Sequence, residues 1–209
     1  MKKDLYGGFF VWYNIRMSEQ IIKSNETIAY SGRIGEVIET EQLDGRVFER
    51  YRRPPGARII IVSADNQILV TKEYRHESGR VDLRLPGGKV RDTAESYHEL
   101  LLSDEDMLDA AVHAAKKEAL EETGMIVDNL ELATIANAGS TVEWDLYYFV
   151  TSNYKAHGDG QQLEHGEDIE VTWATIDEIK IAVQEQRMDE WRSVGVLLGL
   201  VIPSLESNR

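Results

Sequence analysis

Short runs in which hydrophobic and polar residues alternate, separated by turn residues, occupy the chain from residue 27 to residue 74. Alternation with a period of two predicts β-strands, which we assign to residues 27–33, 36–43, 46–51, 58–62 and 67–74. Asp44-Gly45 stands between the second and third runs and favours a two-residue hairpin turn. Pro54-Pro55-Gly56 cannot continue a strand. We therefore predict an N-terminal antiparallel β arm within residues 1–56 and a second unit from 57 to 209.

The pattern changes to helical spacing after residue 103. Apolar residues then recur every three or four positions until Gly124 ends the run, at Leu108, Ala111, Val112, Ala115 and Ala119. Ser103 followed by Asp106 predicts a capping box at the start of this helix. Further strands are predicted at 129–136, 144–151 and 169–174, and further helices at 176–186 and 191–200. This order predicts an α/β (α+β) fold with a mixed β-sheet between helices.

Composition narrows the range of partners. The chain has 209 residues, with 37 acidic and 23 basic side chains, which gives a formal net charge of -14. Such a charge disfavours electrostatic binding to nucleic acid polymers or to an anionic membrane surface. The sequence contains no cysteine, which excludes disulfides, thiol nucleophiles and zinc–thiolate sites. A reducing compartment fits this composition, and we predict a cytoplasmic protein.

The start of the sequence lacks the pattern of a membrane anchor. Its apolar run, residues 7–13, is much shorter than the roughly 20 residues that cross a bilayer. Asp4 interrupts the basic start, which argues against a secretory signal. Met17 precedes a polar segment and is an alternative native start to Met1. We therefore expect no membrane association.

Three glutamates near the end of the predicted central helix give the first indication of chemistry. Around a helix, Glu121 and Glu122 lie about 60° and 40° on either side of Glu118, so the three carboxylates share an arc of about 100°. Like charges this close repel one another unless a cation neutralises them. Oxygen ligands without sulfur or clustered imidazole favour Mg²⁺ or Mn²⁺. The simpler alternative is a solvated acidic helix face.

The segment LPGGK at 85–89 supports the metal-binding alternative. Adjacent glycines after a short strand let the backbone approach an ion or a phosphate closely, although a tight turn also explains them. Together with KEALEETGM at 117–125, this segment resembles the Nudix box: glycine, five residues, Glu, seven residues, then Arg-Glu-apolar-x-Glu-Glu-x-Gly-apolar. Gly88 opens the box and Met125 closes it. The resemblance implies a Nudix hydrolase fold that follows the N-terminal β arm.

Two features of the box depart from the family pattern. Lys117 replaces the family arginine, which keeps the charge but loses the planar fork, so the resemblance implies reduced rather than abolished activity. Gly88 and Lys117 are 29 positions apart, 15 more than in the family, so residues 89–108 contain an insertion. Asp109 and Glu95 compete for the place of the first family glutamate. We expect the insertion to be a surface helix packed on the body of the protein, with an interface or a lid as the alternative.

The resemblance implies roles for individual residues. Glu118 and Glu122 would bind Mg²⁺ or Mn²⁺, Glu121 would be a further or water-mediated ligand, and the carbonyl of Gly87 would complete the shell. The metal would lower the pKa of a bound water, and a carboxylate would remove its proton before attack on a pyrophosphate.

The loop EHGED at 164–168 is where the resemblance places the catalytic base. Glu167 is the first choice and Glu164 the second, while an acidic surface loop is the alternative. Arg75, together with one of Arg50, Arg52 and Arg53, would bind phosphates or stack on a base, and we choose Arg53. Glu143 would also contact the substrate. We expect the tryptophans to serve the core or an interface, rather than a nucleobase, at Trp144, Trp173 and Trp191.

The order of motifs across residues 27–200 resembles the ADP-ribose pyrophosphatase-like branch of the Nudix family. That branch implies hydrolysis of ADP-ribose or a nucleotide sugar to a nucleoside monophosphate and a sugar phosphate, in a homodimer built by the N-terminal arm. Ala138 stands where the branch usually has proline and Arg84 where it usually has glutamate, so the choice between the two substrates stays open. The alternative function is a nucleotide-sensing module without hydrolytic activity.

Overall fold

The computed structural model describes residues 25–75 and 79–207. The apolar run at 7–13 and the two alternative starts, Met1 and Met17, lie outside these ranges. No helix within them is both long enough and apolar enough to span a lipid bilayer.

The described strands are, in chain order, β1 Glu26–Ser31, β2 Glu36–Glu41, β3 Val47–Arg52, β4 Gly56–Ile61, β5 Ile68–Arg75, β6 Arg80–Arg84, β7 Met125–Val127, β8 Glu131–Ala136, β9 Val142–Glu143, β10 Leu146–Thr151, β11 Tyr154–Ala156 and β12 Ile169–Ala174. The helices are α1 Ala94–Leu102, α2 Met107–Thr123, α3 Ile176–Gln184, α4 Trp191–Val196 and α5 Ile202–Ser207, with a π-helical turn, Leu197–Val201, between the last two.

The N-terminal arm is an antiparallel sheet, as predicted. β1 pairs with β2 and β2 with β3, and β9 adds to β3 in parallel. A hairpin forms at the predicted place, but its loop has three residues, 43–45, rather than two, since the N–H of Gln42 donates to the Arg46 carbonyl at 2.8 Å. Gly45 has a φ of 79°. Because β9 comes from the segment after α2, the arm is joined to the rest of the fold through the β3–β9 pair.

The body of the fold contains parallel and antiparallel strand pairs. β4 pairs in parallel with β10, which pairs antiparallel with β8. β5 lies between β12 and β6, antiparallel to both, and β7 pairs with β11. The mixed α+β architecture predicted from the sequence is therefore confirmed.

Alternate residues of β4 face two different hydrophobic clusters. Ala57 and Ile59 pack with the buried alanines of α2, whereas Ile60 packs with the C-terminal helices. Small alanine side chains let α2 approach the sheet closely, and this approach brings the acidic end of the helix to the edge of β4.

The residues of the insertion form α1, which matches the expected packed surface helix. Thr93 caps its N-terminus by accepting the N–H of Ser96, and Leu100 is buried. His98 Nε2 lies 2.9 Å from Oε1 of Glu36 on β2. The inserted helix therefore contacts the N-terminal arm as well as the body.

The capping-box prediction for α2 is wrong. The N-cap of α2 is Asp106, whose Oδ1 accepts the N–H of Leu108 at 2.8 Å. Ser103 instead ends α1, and its hydroxyl donates to the Leu100 carbonyl at 2.8 Å. The sequence prediction failed because it placed the N-cap of α2 three residues too early, at the residue that ends α1.

Of the described strands, β7, β9 and β11 were not predicted. Each has three residues or fewer, and such short runs have too few positions to establish a period. β6 is the short strand expected before the glycine pair, and its residues alternate between polar and apolar, with Val81 and Leu83 as the apolar positions. Asp109 and Glu95, the two candidates for the first family glutamate, are both exposed in first helical turns.

Candidate active site

The last turns of α2 meet the turn that follows β6. α2 ends at Gly124, which adopts a φ of 67°, the left-handed conformation that glycine tolerates best. The Gly87-Gly88 pair lies against this end of the helix. The fold thus brings together the two segments of the chain that carry the sequence motif.

Gly87 and Gly88 contact different glutamates. The N–H of Gly87 donates to Oε2 of Glu122 at 2.8 Å. A Cβ on Gly88 would lie 1.9 Å from Oε1 of Glu118, and a Cβ on Gly87, where φ is 141°, would lie 2.1 Å from the carbonyl oxygen of Ala57. Gly87 therefore requires glycine because of its φ and the backbone beside it, whereas a side chain at Gly88 would displace the flexible carboxylate of Glu118.

Two of the glutamates lie where their charged forms are disfavoured. The pKa of Glu122 is raised to about 7, chiefly by burial and also by the charges of Glu118 and Glu167. The pKa of Glu118 is raised to about 6, again chiefly by burial. A bound cation would stabilise the ionised form of both carboxylates.

Glu121 is placed differently from the other two. Its Oε2 lies 2.8 Å from Nζ of Lys117, one helical turn earlier. In residues 25–75 and 79–207, no three acidic or histidine side chains are gathered closely enough to hold a metal ion. The arrangement is therefore a pair of carboxylates, Glu118 and Glu122, with Glu121 held beside it by the lysine that replaces the family arginine.

The donor set fits a divalent cation. Glu118 and Glu122 are partly buried carboxylates whose ionisation is disfavoured, and the glycine pair leaves only hydrogen atoms where side chains would otherwise intervene. All of the donors are oxygens, which suits Mg²⁺ or Mn²⁺. The residues that would hold the ion are Glu118, Glu122 and Gly87, through its carbonyl oxygen.

Arg58 is a residue at this site that the sequence reasoning missed. Its Nη1 donates to the carbonyl oxygen of Gly87 and, at 3.2 Å, to that of Ala57. Burial lowers the pKa of Arg58, while the charge of Glu122 acts in the opposite direction. The sequence feature that could have indicated a role for Arg58 is its position at the start of the otherwise apolar run RIIIV at 58–62.

The acidic loop is anchored to the end of α2. Gln161 Nε2 donates to the Glu122 carbonyl at 2.6 Å and to the Ile169 carbonyl at 3.0 Å. The N–H of Gln162 donates to the Glu121 carbonyl at 2.9 Å. Helix ends leave such carbonyls without intrahelical partners, so the loop supplies the missing donors and is fixed beside the glutamates.

Glu167 and Glu164 have different electrostatic neighbours. The charge of Glu167 acts on both Glu118 and Glu122, whereas that of Glu164 acts on Lys117. Oε2 of Glu167 accepts the N–H of Glu164 at 2.9 Å. Of the two predicted bases, Glu167 is the one whose charge influences the carboxylate pair.

Arg53 stacks on an aromatic ring. Its guanidinium carbon lies 4.3 Å from the ring centroid of Trp144, and that of Arg192 lies 4.1 Å from it. Nε of Arg53 and Nε1 of Trp144 are buried, and neither has a hydrogen-bond partner among the described residues. Trp144 therefore forms part of a cation–π cluster that the sequence did not reveal, while Trp191 is exposed.

Glu143 lies next to Arg53. The N–H of Arg53 donates to the Glu143 carbonyl at 3.1 Å, and the Glu143 carboxylate accepts from Arg50 Nε at 2.8 Å. Arg50 and Glu143 line an open cavity of about 410 Å³, together with Asn137, Gly139, Ser140, Val142 and Asp145. The structure thus brings Arg53 and Glu143 together, and of the two only Glu143 lines this cavity.

The other two arginines considered with Arg53 already have carboxylate partners. Arg50 pairs with Glu26 at 3.0 Å, and Arg52 Nε donates to Glu36 at 2.7 Å in a buried pair. Arg53 has no carboxylate within ion-pair distance among the described residues, so its charge is the least compensated of the three.

Arg75, the third predicted substrate-binding residue, lies at the end of β5. Its Nη2 is 2.6 Å from Glu73, while its Nε is buried and lacks a hydrogen-bond partner within the described part of the chain. Arg84, which stands where the branch usually has glutamate, donates to Asp82. Asp82 also accepts the N–H of Asp189 at 2.9 Å, so Arg84 belongs to a link between β6 and the segment before α4.

A glycine turn faces a partly buried carboxylate pair at the end of a helix on a mixed α+β scaffold, and these oxygens suit a divalent cation. The NUDIX domain profile matches residues 52–193, which is more than half of the chain. The chain therefore belongs to the Nudix family, and the predicted family and hydrolase class are confirmed. No curated protein sequence is significantly similar to it.

A solved structure shares the fold. The crystal structure of an ADP compounds hydrolase aligns with a TM-score of 0.62 and 18% sequence identity, covering 91% of this chain and 98% of that chain. The alignment extends beyond the NUDIX domain match. At this level of identity the likeness establishes the shared fold.

Proposed function

We propose that this protein hydrolyses the pyrophosphate bond of a nucleoside diphosphate linked to a sugar, with Mg²⁺ or Mn²⁺ as cofactor. The observation that carries the proposal is the placement of Glu118 and Glu122 against Gly87 and Gly88. Two partly buried carboxylates beside a glycine turn are compatible with metal-assisted hydrolysis.

The proposed metal ligands are Glu118, Glu122 and the Gly87 carbonyl, with Glu121 as a further or water-mediated ligand. When bound, the ion would neutralise phosphate charge and lower the pKa of a coordinated water. Glu121 would first have to exchange its contact with Lys117, 2.8 Å away. Lys117 is exposed on α2, so solvent weakens the pair and lowers the cost of the exchange.

We assign the general base to Glu167, with Glu164 as the second choice. The base accepts a proton from the attacking water as its oxygen bonds to phosphorus, and the bond from that phosphorus to the bridging oxygen breaks. Glu167 is favoured because its charge acts on both carboxylates of the pair. Its anchor at Gln161 keeps the loop beside them.

Arg53, Arg75 and Glu143 are proposed to bind the substrate. Arg53 offers a guanidinium that no described carboxylate compensates, and Glu143 lines a cavity of about 410 Å³, which is large enough for part of a nucleotide. Arg75 must exchange its contact with Glu73 to reach a phosphate. The exposed fraction of the Arg75 side chain, 31%, leaves it accessible to a ligand.

ADP-ribose and a nucleotide sugar such as GDP-mannose are the two proposed substrates. The ADP compounds hydrolase with the shared fold supports the adenosine compound. The nucleotide sugar is kept as the alternative substrate, because Arg84 and Ala138 replace the glutamate and the proline that are usual in the branch.

We propose that residues 1–56 build a homodimer and that 57–209 form the catalytic unit. Exposed apolar side chains on the described part of the arm support a contact surface, with Tyr30, Val47 and Phe48 all more than half exposed. Sedimentation should give a particle of twice 23.7 kDa, whereas a monomer at micromolar concentration would contradict the proposal. The cytoplasm is the proposed location, on the basis of the sequence without cysteine.

A substrate panel tests the proposed activity. ADP-ribose, GDP-mannose, a dinucleoside polyphosphate and a nucleoside triphosphate would each be incubated with Mg²⁺, with a phosphatase releasing phosphate from the products. Wild type should cleave one of the first two, Glu122→Gln should lose most activity, and Glu164→Gln should lose much less. Cleavage of the triphosphate alone would contradict the substrate class. Binding of ADP-ribose without any turnover would favour the nucleotide-sensing module.

A further inference from the structure

We propose that Arg58 is a built-in counter-cation of the metal site, which competes with the metal ion for the carbonyl oxygen of Gly87. This inference rests on the metal site of the proposed function. It adds that Arg58 lowers the affinity of the site for the metal ion, and that the positive charge of Arg58 determines the size of this decrease.

The position of Arg58 on β4 gives it direct access to the glycine turn. Its Nη1 donates to the carbonyl oxygens of Gly87 and Ala57. A Cβ on Gly87 would lie 3.0 Å from Cα of Arg58, so the two backbones are in contact. The guanidinium is thus held against the oxygen that would serve as the backbone ligand.

The charge of Arg58 is not used in an ion pair. Its hydrogen bonds go to backbone carbonyls, and no carboxylate within the described ranges lies within ion-pair distance. Its electrostatic partners are Glu122, Tyr148 and Glu190, which favour the charged guanidinium, and Arg84, which opposes it. In turn, the charge of Arg58 lowers the pKa of both Glu118 and Glu122.

Gly87 forms hydrogen bonds to both Arg58 and Glu122. Its N–H donates to Glu122 at 2.8 Å, while its C=O accepts from Arg58. In the absence of metal, this residue places a positive charge close to Glu122 without a direct contact between the two side chains. The arrangement compensates part of the charge that burial disfavours.

A metal ion at the same oxygen would repel Arg58. Two cations cannot share one carbonyl oxygen at close range without a large electrostatic cost. Either the guanidinium leaves Gly87 when the ion binds, or the ion binds without the Gly87 oxygen. Both outcomes weaken metal binding relative to a site without the arginine.

Mn²⁺ titration by calorimetry, without substrate, measures this competition. Arg58→Gln keeps a hydrogen-bond donor but removes the charge, and it should raise the affinity for Mn²⁺ by about tenfold or more. Arg80→Gln is the matched control, because Arg80 is an exposed arginine bound to Asp189 and its loss changes the net charge equally. Arg80→Gln should bind Mn²⁺ as wild type does.

The outcomes separate this inference from the proposed function. Equal or weaker Mn²⁺ affinity in Arg58→Gln would overturn the role of Arg58 while leaving the metal site intact. If wild type binds no Mn²⁺, the metal site is wrong, and the inference falls with it. Glu122→Gln should lose Mn²⁺ binding in either background.

A second measurement does not require the variant to fold. In isotope-labelled wild-type protein, titration with diamagnetic Mg²⁺ should shift the ¹⁵Nε resonance of Arg58, because its guanidinium must respond to a cation at Gly87. The backbone resonance of Glu122 reports binding in the same spectra. A shift at Glu122 with an unmoved Arg58 would overturn the competition.

Discussion

The N–H of Gly87 donates a 2.8 Å hydrogen bond to Oε2 of Glu122, which joins the turn after β6 to the last turn of α2. This bond stabilises the ionised carboxylate, yet the pKa of Glu122 remains raised to about 7 because burial outweighs it. The hydrogen bond compensates the buried negative charge only in part, so a bound cation would stabilise the ionised carboxylate further. This relationship gives the site a measurable dependence on pH.

The metal-free protein should become less stable as the pH rises from about 4.5 to about 7. The pKa values of Glu118 and Glu122 are raised to about 6 and about 7 from 4.5, so in this window the folded state holds more protons than the unfolded state. The contribution is fully present below pH 4.5 and is lost through the folded pKa values. After allowance for partial exposure, the loss is on the order of 2 kcal/mol.

Urea denaturation in the presence of a chelator, at several pH values, measures this dependence. Glu122→Gln should remove most of the slope, since the amide does not titrate. Glu164→Gln, an exposed loop carboxylate, should keep it. An unchanged slope in Glu122→Gln would show that the carboxylate pair is not the source.

Gly88→Ala should weaken metal binding with little effect on metal-free stability. The new Cβ would lie 1.9 Å from Oε1 of Glu118, and the flexible glutamate side chain can move away, which displaces a proposed ligand. Thermal unfolding with and without Mn²⁺ should show a smaller metal-induced shift than in wild type. Gly158→Ala is the control, because nothing lies within 4 Å of its Cβ position. A wild-type shift in Gly88→Ala would mean that Glu118 does not need its present position.

The sequence was sufficient for the parts of the site that lie within one helix. Glu118 and Glu122 are one turn apart, so helical geometry alone places them on one face, and Gly124 indicates where the helix ends. The pairing of Lys117 with Glu121, 2.8 Å apart, also follows from the i,i+4 spacing. Local spacing is therefore what made these residues predictable.

The remaining contacts depend on how distant segments meet. Arg58 reaches Gly87 only because β4 runs beside the turn after β6, and no local pattern specifies that neighbour. The ring of Trp144 contacts the guanidinium groups of Arg53 and Arg192, which are far apart in the sequence. The interpretation of Trp144 as a core or interface residue missed this cluster, because hydrophobic character does not indicate which cations lie against the ring.

Glu190→Gln should destabilise the protein at neutral pH but not at strongly acidic pH. Although burial opposes it, hydrogen bonds from Ser193, Tyr148 and Arg192 lower the pKa of Glu190 to about 2. A lowered folded pKa contributes stability above the unfolded value of 4.5, and that stability is lost as the pH falls towards 2. We expect a loss on the order of 2 kcal/mol at pH 7.

Denaturation curves at pH 7 and pH 3 measure the effect of Glu190→Gln. The difference from wild type should be large at pH 7 and smaller at pH 3. Glu206→Gln serves as the comparison, since Glu206 pairs with Lys180 at the surface with 45% of its side chain exposed, and such pairs contribute little. A loss that is equal at both pH values would show that packing, rather than charge, makes Glu190 important.

Gln161→Ala should slow turnover without weakening metal binding. Its amide holds the acidic loop to the Glu122 carbonyl at 2.6 Å, and misplacement of a general base by about 1 Å can cost one to two orders of magnitude in rate. We expect kcat to fall about tenfold, with the Mn²⁺ affinity unchanged. Gln162→Ala is the matched control, because Gln162 is anchored to Glu121 by its backbone N–H, which the substitution retains. Equal losses in both variants, or weaker Mn²⁺ binding in Gln161→Ala, would show that the loop does not act through the position of its carboxylate.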